Sequence, residues 1–108
     1  MSLGELLSSL RNLQTQLFSV SVQNLFENQD AETRKRFVAF RQEVSLLVGK
    51  LTNAELDHIA HELDLLSSDL KAGIQNLDQS LNELQSALSI LNFLGNVLGL
   101  VSRVAILV

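Results

Sequence analysis

A single run of regularly spaced leucines constrains this chain more than any other feature. Apolar residues recur every three or four positions from residue 56 to residue 91, and no proline interrupts them. They are Leu56, Ile59, Leu63, Leu66, Leu70, Ile74, Leu77, Leu81, Leu84, Leu88 and Leu91. This spacing aligns one apolar stripe along a helix. We therefore predict a helix over residues 53–91, nearly 60 Å long at about 1.5 Å per residue, with Gly73 as a weak point inside it.

A first, shorter amphipathic helix precedes this run. Ser2 and Glu5 have the spacing of a capping box, and heptad-spaced apolar residues follow them. The stripe becomes irregular at the β-branched residues Val20 and Val22. We predict that this helix covers residues 3–27 and that a short turn follows it.

A second short helix is predicted over residues 31–48. Asp30 suits its N-cap, and Gly49 suits a left-handed C-cap position. Thr52 and Glu55 then form a second capping-box pattern that would open the long helix. A connection this short predicts that the second and third helices are antiparallel neighbours.

Charge is segregated between these two helices. Residues 31–51 carry five basic residues and two acidic ones, whereas residues 52–87 carry seven acidic residues and one basic residue. The basic cluster Arg34–Arg36 also suits a nucleic-acid or anionic-lipid patch. Because an acidic segment follows directly, we expect charge pairing, within the hairpin or between subunits, and no binding of nucleic acid.

The C-terminal segment, residues 88–108, carries Arg103 as its single charge. Its polar residues fall at helical spacing and predict one narrow polar stripe: Ser89, Asn92, Asn96, Gly99 and Arg103. We predict a helix over residues 93–107. Such a helix suits the most buried position of a soluble bundle, which we favour. It is also long and apolar enough to cross a membrane, which is the alternative.

Catalytic and metal-binding patterns are weak. The chain has no cysteine, phosphate-binding glycine loop or nucleophile elbow. Glu55 and His58 have the Glu-x-x-His spacing of di-iron bundles, with His61 and Glu62 nearby. In helical phase, however, His61 points away from the apolar stripe. We expect these residues to be surface residues, and we predict no enzyme activity, metal or cofactor.

These patterns predict one all-α domain: an elongated antiparallel bundle or coiled coil of three long helices, completed by the apolar C-terminal segment. The predicted function is helix–helix association with protein, as a homo-oligomer or adaptor, in the cytoplasm. The alternative is a membrane-associated helical protein, tail-anchored or pore-forming, that inserts residues 88–108. The predicted interaction seam comprises Leu63, Leu66, Leu70, Ile74, Leu77, Leu81, Leu84, Leu88 and Leu91. The predicted apolar tail face comprises Phe93, Leu94, Val97, Leu98, Val101, Val104 and Leu107.

Overall fold

The computed structural model describes residues 1–107, which form five helices and no strand. The helices are α1 (Leu3–Leu17), α2 (Val20–Glu27), α3 (Ala31–Thr52), α4 (Leu56–Asn82) and α5 (Ala87–Ala105). They pack into a body of 43 × 21 × 19 Å. The predicted all-α, elongated fold is therefore confirmed, whereas coiled-coil supercoiling stays a prediction.

Two predicted helix starts are correct in atomic detail. At α1, the N–H of Glu5 donates to Ser2 Oγ and the Ser2 N–H donates to the Glu5 carboxylate, which completes the capping box. At α3, the N–H of Thr33 donates to Asp30 Oδ1 over 2.7 Å. This bond, followed by the positive charge of Arg34, lowers the pKa of the Asp30 carboxyl. Both starts depend on residues close in sequence.

The predicted helix 3–27 is wrong, because the chain bends at Phe18 and Ser19. Ser19 acts as the N-cap of α2, and its Oγ accepts a hydrogen bond from the N–H of Val22. Leu17 before the bend and Val22 after it are both buried. A straight helix would have carried the irregular stripe away from the core, so the bend buries both halves.

The predicted end of the second helix at residue 48 and the predicted start of the third helix at residue 53 are also wrong. α3 continues through Gly49, which has no left-handed backbone, to Thr52. Thr52 Oγ donates to the Val48 carbonyl over 2.6 Å, and Asn53 Nδ2 donates to the Gly49 carbonyl. These bonds satisfy carbonyls at the end of the helix. The second capping box does not form: Glu55 is the N-cap of α4 and makes no side-chain cap bond.

The predicted helix 53–91 is divided by a turn, so its prediction and that of a separate helix 93–107 are wrong. α4 ends at Asn82, and Leu84 has a positive φ of 48°. The N–H of Gln85 donates to the Ser80 carbonyl, and the N–H of Leu84 donates to the Leu81 carbonyl. These two bonds form a Schellman motif with leucine in the position that glycine usually occupies. The turn reverses the chain.

Beyond this turn, Ser86 caps α5 through the N–H of Ser89. α5 therefore begins six residues earlier than predicted and packs along α4. A 27-residue α4 is about 40 Å long, close to the 43 Å length of the whole body. An uninterrupted helix to residue 91 would protrude and leave Leu91 in water, whereas the turn allows α5 to bury Leu91 against the chain itself.

α1 and α5 each pack against both α3 and α4, which lie diagonally across the bundle from each other. Two pairs run antiparallel: contacts Arg11–Thr52 and Gln14–Ser45 join α1 to α3, and Glu62–Arg103 and Gly73–Val97 join α4 to α5. Contacts Met1–Ser67 and Gln16–Asp78 make α4 parallel to α1, so α3 and α4 are antiparallel as predicted, but the prediction that they are direct neighbours is wrong. The short connection keeps the end of α3 close to the start of α4. Along the rest of their length, α1 and α5 lie between the two helices.

Candidate protein-binding surfaces

Most of the predicted interaction seam lies in the core of this chain. Leu63, Leu66, Leu70, Leu77, Leu81 and Leu91 are buried, and Ile74 is partly buried against the same core. Leu84 and Leu88, beside the α4–α5 turn, remain 44% and 60% exposed. Because α5 and α1 already cover the seam, a partner at the buried positions would have to displace one of these helices.

The predicted tail face is likewise part of the core. Leu94, Val97, Leu98, Val101 and Val104 are buried, Phe93 is partly buried, and Leu107 is 45% exposed. The predicted polar stripe is confirmed, since Asn92, Asn96, Gly99 and Arg103 are exposed and Ser89 is half-buried. Val108 lies outside the described residues.

α5 also has the length and composition of a membrane span. An 18-residue window of this helix has a mean hydropathy of 1.5, and 44% of that window is buried within the bundle. Core helices of soluble proteins have the same properties, so this finding agrees with both environments proposed for the segment.

The Glu55–Asp64 cluster lies on the surface of α4. His58 pairs with Glu55 at 3.5 Å, with both side chains well exposed, and His61 is exposed. Glu62 instead accepts a hydrogen bond from the guanidinium of Arg103 over 3.2 Å. Within residues 1–107, no three histidine or carboxylate side chains converge as a metal site would require.

Of the two predicted forms of charge pairing, the one between α3 and α4 within the chain is wrong. Pairing between subunits stays a prediction. Residues 1–107 contain the ion pair Arg103–Glu62 and the contact His58–Glu55, which is ionic only when the histidine is protonated, and neither joins the basic segment to the acidic one. The diagonal arrangement of α3 and α4 explains this result, because their outer sides point in opposite directions. Both charged surfaces therefore remain available to another molecule.

The basic surface, which we call the α3 face, consists of Arg34, Lys35, Val38, Gln42 and Leu46. The first four line one shallow depression together with Ala31 and Ala39, and Leu46 follows one helical turn later. Val38 is 41% exposed and Leu46 is 69% exposed. The face therefore joins two cations to two apolar side chains that no helix of this chain covers.

An aromatic cluster supports the α3 face from one side. The rings of Phe26 in α2 and Phe37 in α3 stack with centroids 4.0 Å apart. The guanidinium of Arg41 lies 4.3 Å from the centroid of Phe18, which is 50% exposed, and 5.1 Å from that of Phe37. These contacts hold the arginine over aromatic rings and attach the α1–α2 bend to α3.

A cleft between α2 and α3 adjoins this face. It encloses about 420 Å³, including its solvent-open mouth, and is lined by Gln23, Phe26, Glu27, Arg34, Phe37, Val38 and Arg41. Its apolar walls suit a large apolar side chain from a partner, and its rim carries the charges of Arg34, Arg41 and Glu27.

The acidic surface, which we call the α4 face, consists of His61, Asp64, Leu65, Ser68 and Asp69. All five are exposed, and Leu65 keeps 63% of its surface in contact with water. His61, Ser68 and Asp69 stand four, three and four residues from Leu65, so they surround it on the helix surface. This face thus also presents an apolar side chain, here among carboxylates.

The sequence predictions missed Val38, Leu46 and Leu65. Each lies outside the apolar stripe of its own helix: Val38 and Leu46 on the far side of α3, and Leu65 between the buried Leu63 and Leu66. An apolar residue on the polar side of an amphipathic helix was the available signal. The apolar stripes instead predicted binding by residues that are mostly buried in the core of this chain.

Comparison of the chain with protein-family models, curated proteins and solved structures found no match. Its function is therefore inferred from the chemistry of its own surfaces.

Proposed function

We propose that this chain is a non-catalytic helical bundle that binds an acidic, amphipathic surface of another protein molecule through its α3 face. The supporting observation is that two apolar residues, Val38 and Leu46, are exposed on the same side of α3 as two basic residues, Arg34 and Lys35. Exposed apolar residues rimmed by charge are typical of protein-binding sites. The surface also fits the association predicted from the sequence, moved from the buried seam to the outside of α3.

Site-specific photo-crosslinking in the cells that produce the protein tests this proposal. A photoreactive amino acid replaces Val38 in one variant and Leu46 in another, and Asn12 serves as the control. Asn12 is also exposed and helical but lies on α1. We expect a discrete protein adduct from positions 38 and 46 and none from position 12. Equal labelling at all three positions would contradict the proposal.

The charge requirement has its own test. Arg34→Gln and Lys35→Gln, introduced together into the crosslinking variant at position 46, remove two exposed cations and leave the core unchanged. The yield of the adduct should fall in this variant. Added salt should also lower the yield of the parent variant, because salt weakens the attraction between exposed charges, with a screening length of about 10 Å at 0.1 M. A yield insensitive to both changes would contradict an acidic partner.

Membrane insertion of α5 is the second candidate function. The hydropathy and length of α5 favour it, together with the exposed Leu88 and Ile106 near its two ends. Insertion requires α5 to leave α4, because its apolar side chains face the core.

A reversible lock between α4 and α5 tests this second function. A Cβ at position 73 would lie 3.2 Å from Cγ2 of Val97, so Gly73→Cys with Val97→Cys places two thiols within reach of a disulfide. The chain has no other cysteine. The reduced variant should float with anionic liposomes and the oxidised variant should not. If neither form floats, or both do equally, insertion by α5 is wrong.

A further inference from the structure

We infer that the partner of the α3 face is the α4 face of a second copy of this chain, so that copies associate head to tail. This inference rests on the proposed function and deepens it by naming the partner. The two faces are complementary in charge, since Arg34 and Lys35 stand on one while Asp64 and Asp69 stand on the other. Each also carries an uncovered apolar side chain.

The position of the faces within the bundle explains why they must pair between copies. α3 and α4 lie on a diagonal, with α1 and α5 packed against both. Their outer sides point away from each other, so the basic face of one copy cannot reach the acidic face of the same copy. A second copy supplies the missing charge without any change in the fold.

The same charges determine the symmetry of the pairing. A two-fold symmetric dimer through either face would oppose lysine to lysine or aspartate to aspartate, which is repulsive. Pairing of α3 face with α4 face avoids this repulsion. It leaves one face of each kind free at the ends, so further copies can add. We therefore expect an open chain of copies whose length rises with protein concentration.

Exposed leucines on both faces give the pairing apolar contacts as well as charges. Leu46 keeps 69% of its surface in water and Leu65 keeps 63%. The α3 face extends about 18 Å from residue 34 to residue 46, at about 1.5 Å per residue. A single helix face of this length gives a small interface, so we expect reversible association that salt weakens.

Two variants with one disabled face each provide the test. One combines Arg34→Gln, Lys35→Gln and Val38→Gln, and the other combines Asp64→Gln, Leu65→Gln and Asp69→Gln. All six positions are exposed on helices, and glutamine is a good helix former, so both variants should melt as the parent protein does. Because glutamine is neutral, neither variant gains a new complementary face. Matching circular dichroism melting curves serve as the folding control.

Sedimentation equilibrium then measures the mass of each species. The wild-type chain should rise from its 11.9 kDa monomer mass past that of two chains as concentration increases. Each variant alone should stay at the monomer mass. An equimolar mixture should reach two chains and stop, because the α3 face of one variant binds the α4 face of the other and both free ends are disabled.

Three results would overturn the inference. A wild-type chain that stays monomeric at every concentration has no self-association. A variant that still assembles alone pairs symmetrically through its intact face or uses another interface. A mixture that stays monomeric while the wild type assembles shows that the α3 face and the α4 face do not bind each other. The crosslinking experiment separates this failure from failure of the proposed function, because an adduct at positions 38 and 46 with a different protein retains the function and excludes the second copy.

Discussion

Replacing Leu84 by glycine and, separately, by alanine tests the turn that folds α5 back onto α4. Leu84 has a φ of 48° and occupies the left-handed position of the Schellman motif after α4. Gly49 provides the matched comparison, because it lies inside α3, is exposed and, apart from its chain neighbours and the backbone of its own helix, has no atom within 4 Å of the position of an added Cβ. The same pair of residues, glycine and alanine, is compared at both positions.

The two positions should differ in sign. At position 84, a Cβ in the left-handed region costs about 1–2 kcal/mol. Glycine avoids this cost. However, it loses more conformational entropy on folding than alanine does, which destabilises the folded state by about 0.5–1 kcal/mol. The glycine variant should therefore be more stable than the alanine variant by about 0.5–1 kcal/mol. At position 49, alanine should be more stable than glycine by about 1 kcal/mol, the ordinary helical preference. Both Leu84 variants lose the same half-exposed side chain, so that loss cancels.

Urea denaturation followed by circular dichroism measures these differences, since the chain has no tryptophan or tyrosine for fluorescence. With a urea slope of about 1–3 kcal/mol per molar, 1 kcal/mol displaces the midpoint by about 0.3–1 M. An alanine variant at position 84 that is more stable than the glycine variant would refute the reasoning. Residue 84 would then be helical, and the long helix to residue 91 predicted from the leucine spacing would be correct.

Three further measurements examine the packing and the caps. Gly73→Ala should lack the stabilisation that Gly49→Ala gains, because the new Cβ would meet the buried Val97 at 3.2 Å; an equal gain in urea midpoint would contradict this contact. Deleting residues 87–108 should abolish cooperative thermal melting or cause aggregation, measured by circular dichroism and light scattering, and an unchanged transition would exclude the buried position of α5. The lowered pKa of Asp30 means that its carboxylate stabilises the fold at neutral pH and loses this effect as pH falls through the lowered value. The stability advantage of the wild type over Asp30→Asn, which keeps a capping oxygen but does not titrate, should therefore shrink in acid; an advantage that grows in acid would contradict the assignment.

The candidate surfaces were half visible in the sequence. The segregation of basic residues into 31–51 and acidic residues into 52–87 predicted that opposite charges would meet, within the chain or between subunits. Which of these holds depends on where the two helices lie relative to each other. The structure separates them by α1 and α5, a fact that no spacing within α3 or α4 encodes. Leu65 became a candidate for binding only once Leu63 and Leu66 were known to be buried on one side of it.

The sequence by itself determined the helical class and those helix starts that depend on neighbouring residues. The chain has no proline, and its apolar residues recur at spacings of three and four. The caps at Ser2 and Asp30 involve residues within one helical turn. All of these signals are local, so the sequence shows them directly. The tertiary structure alone decided where the long apolar run ends. Leucine at position 84 has no local preference for a left-handed turn, and the spacing continues unbroken through it to Leu91. The turn forms because the apolar side of α5 can be buried only against α3 and α4, and burial of nine of its side chains outweighs the strain at one residue.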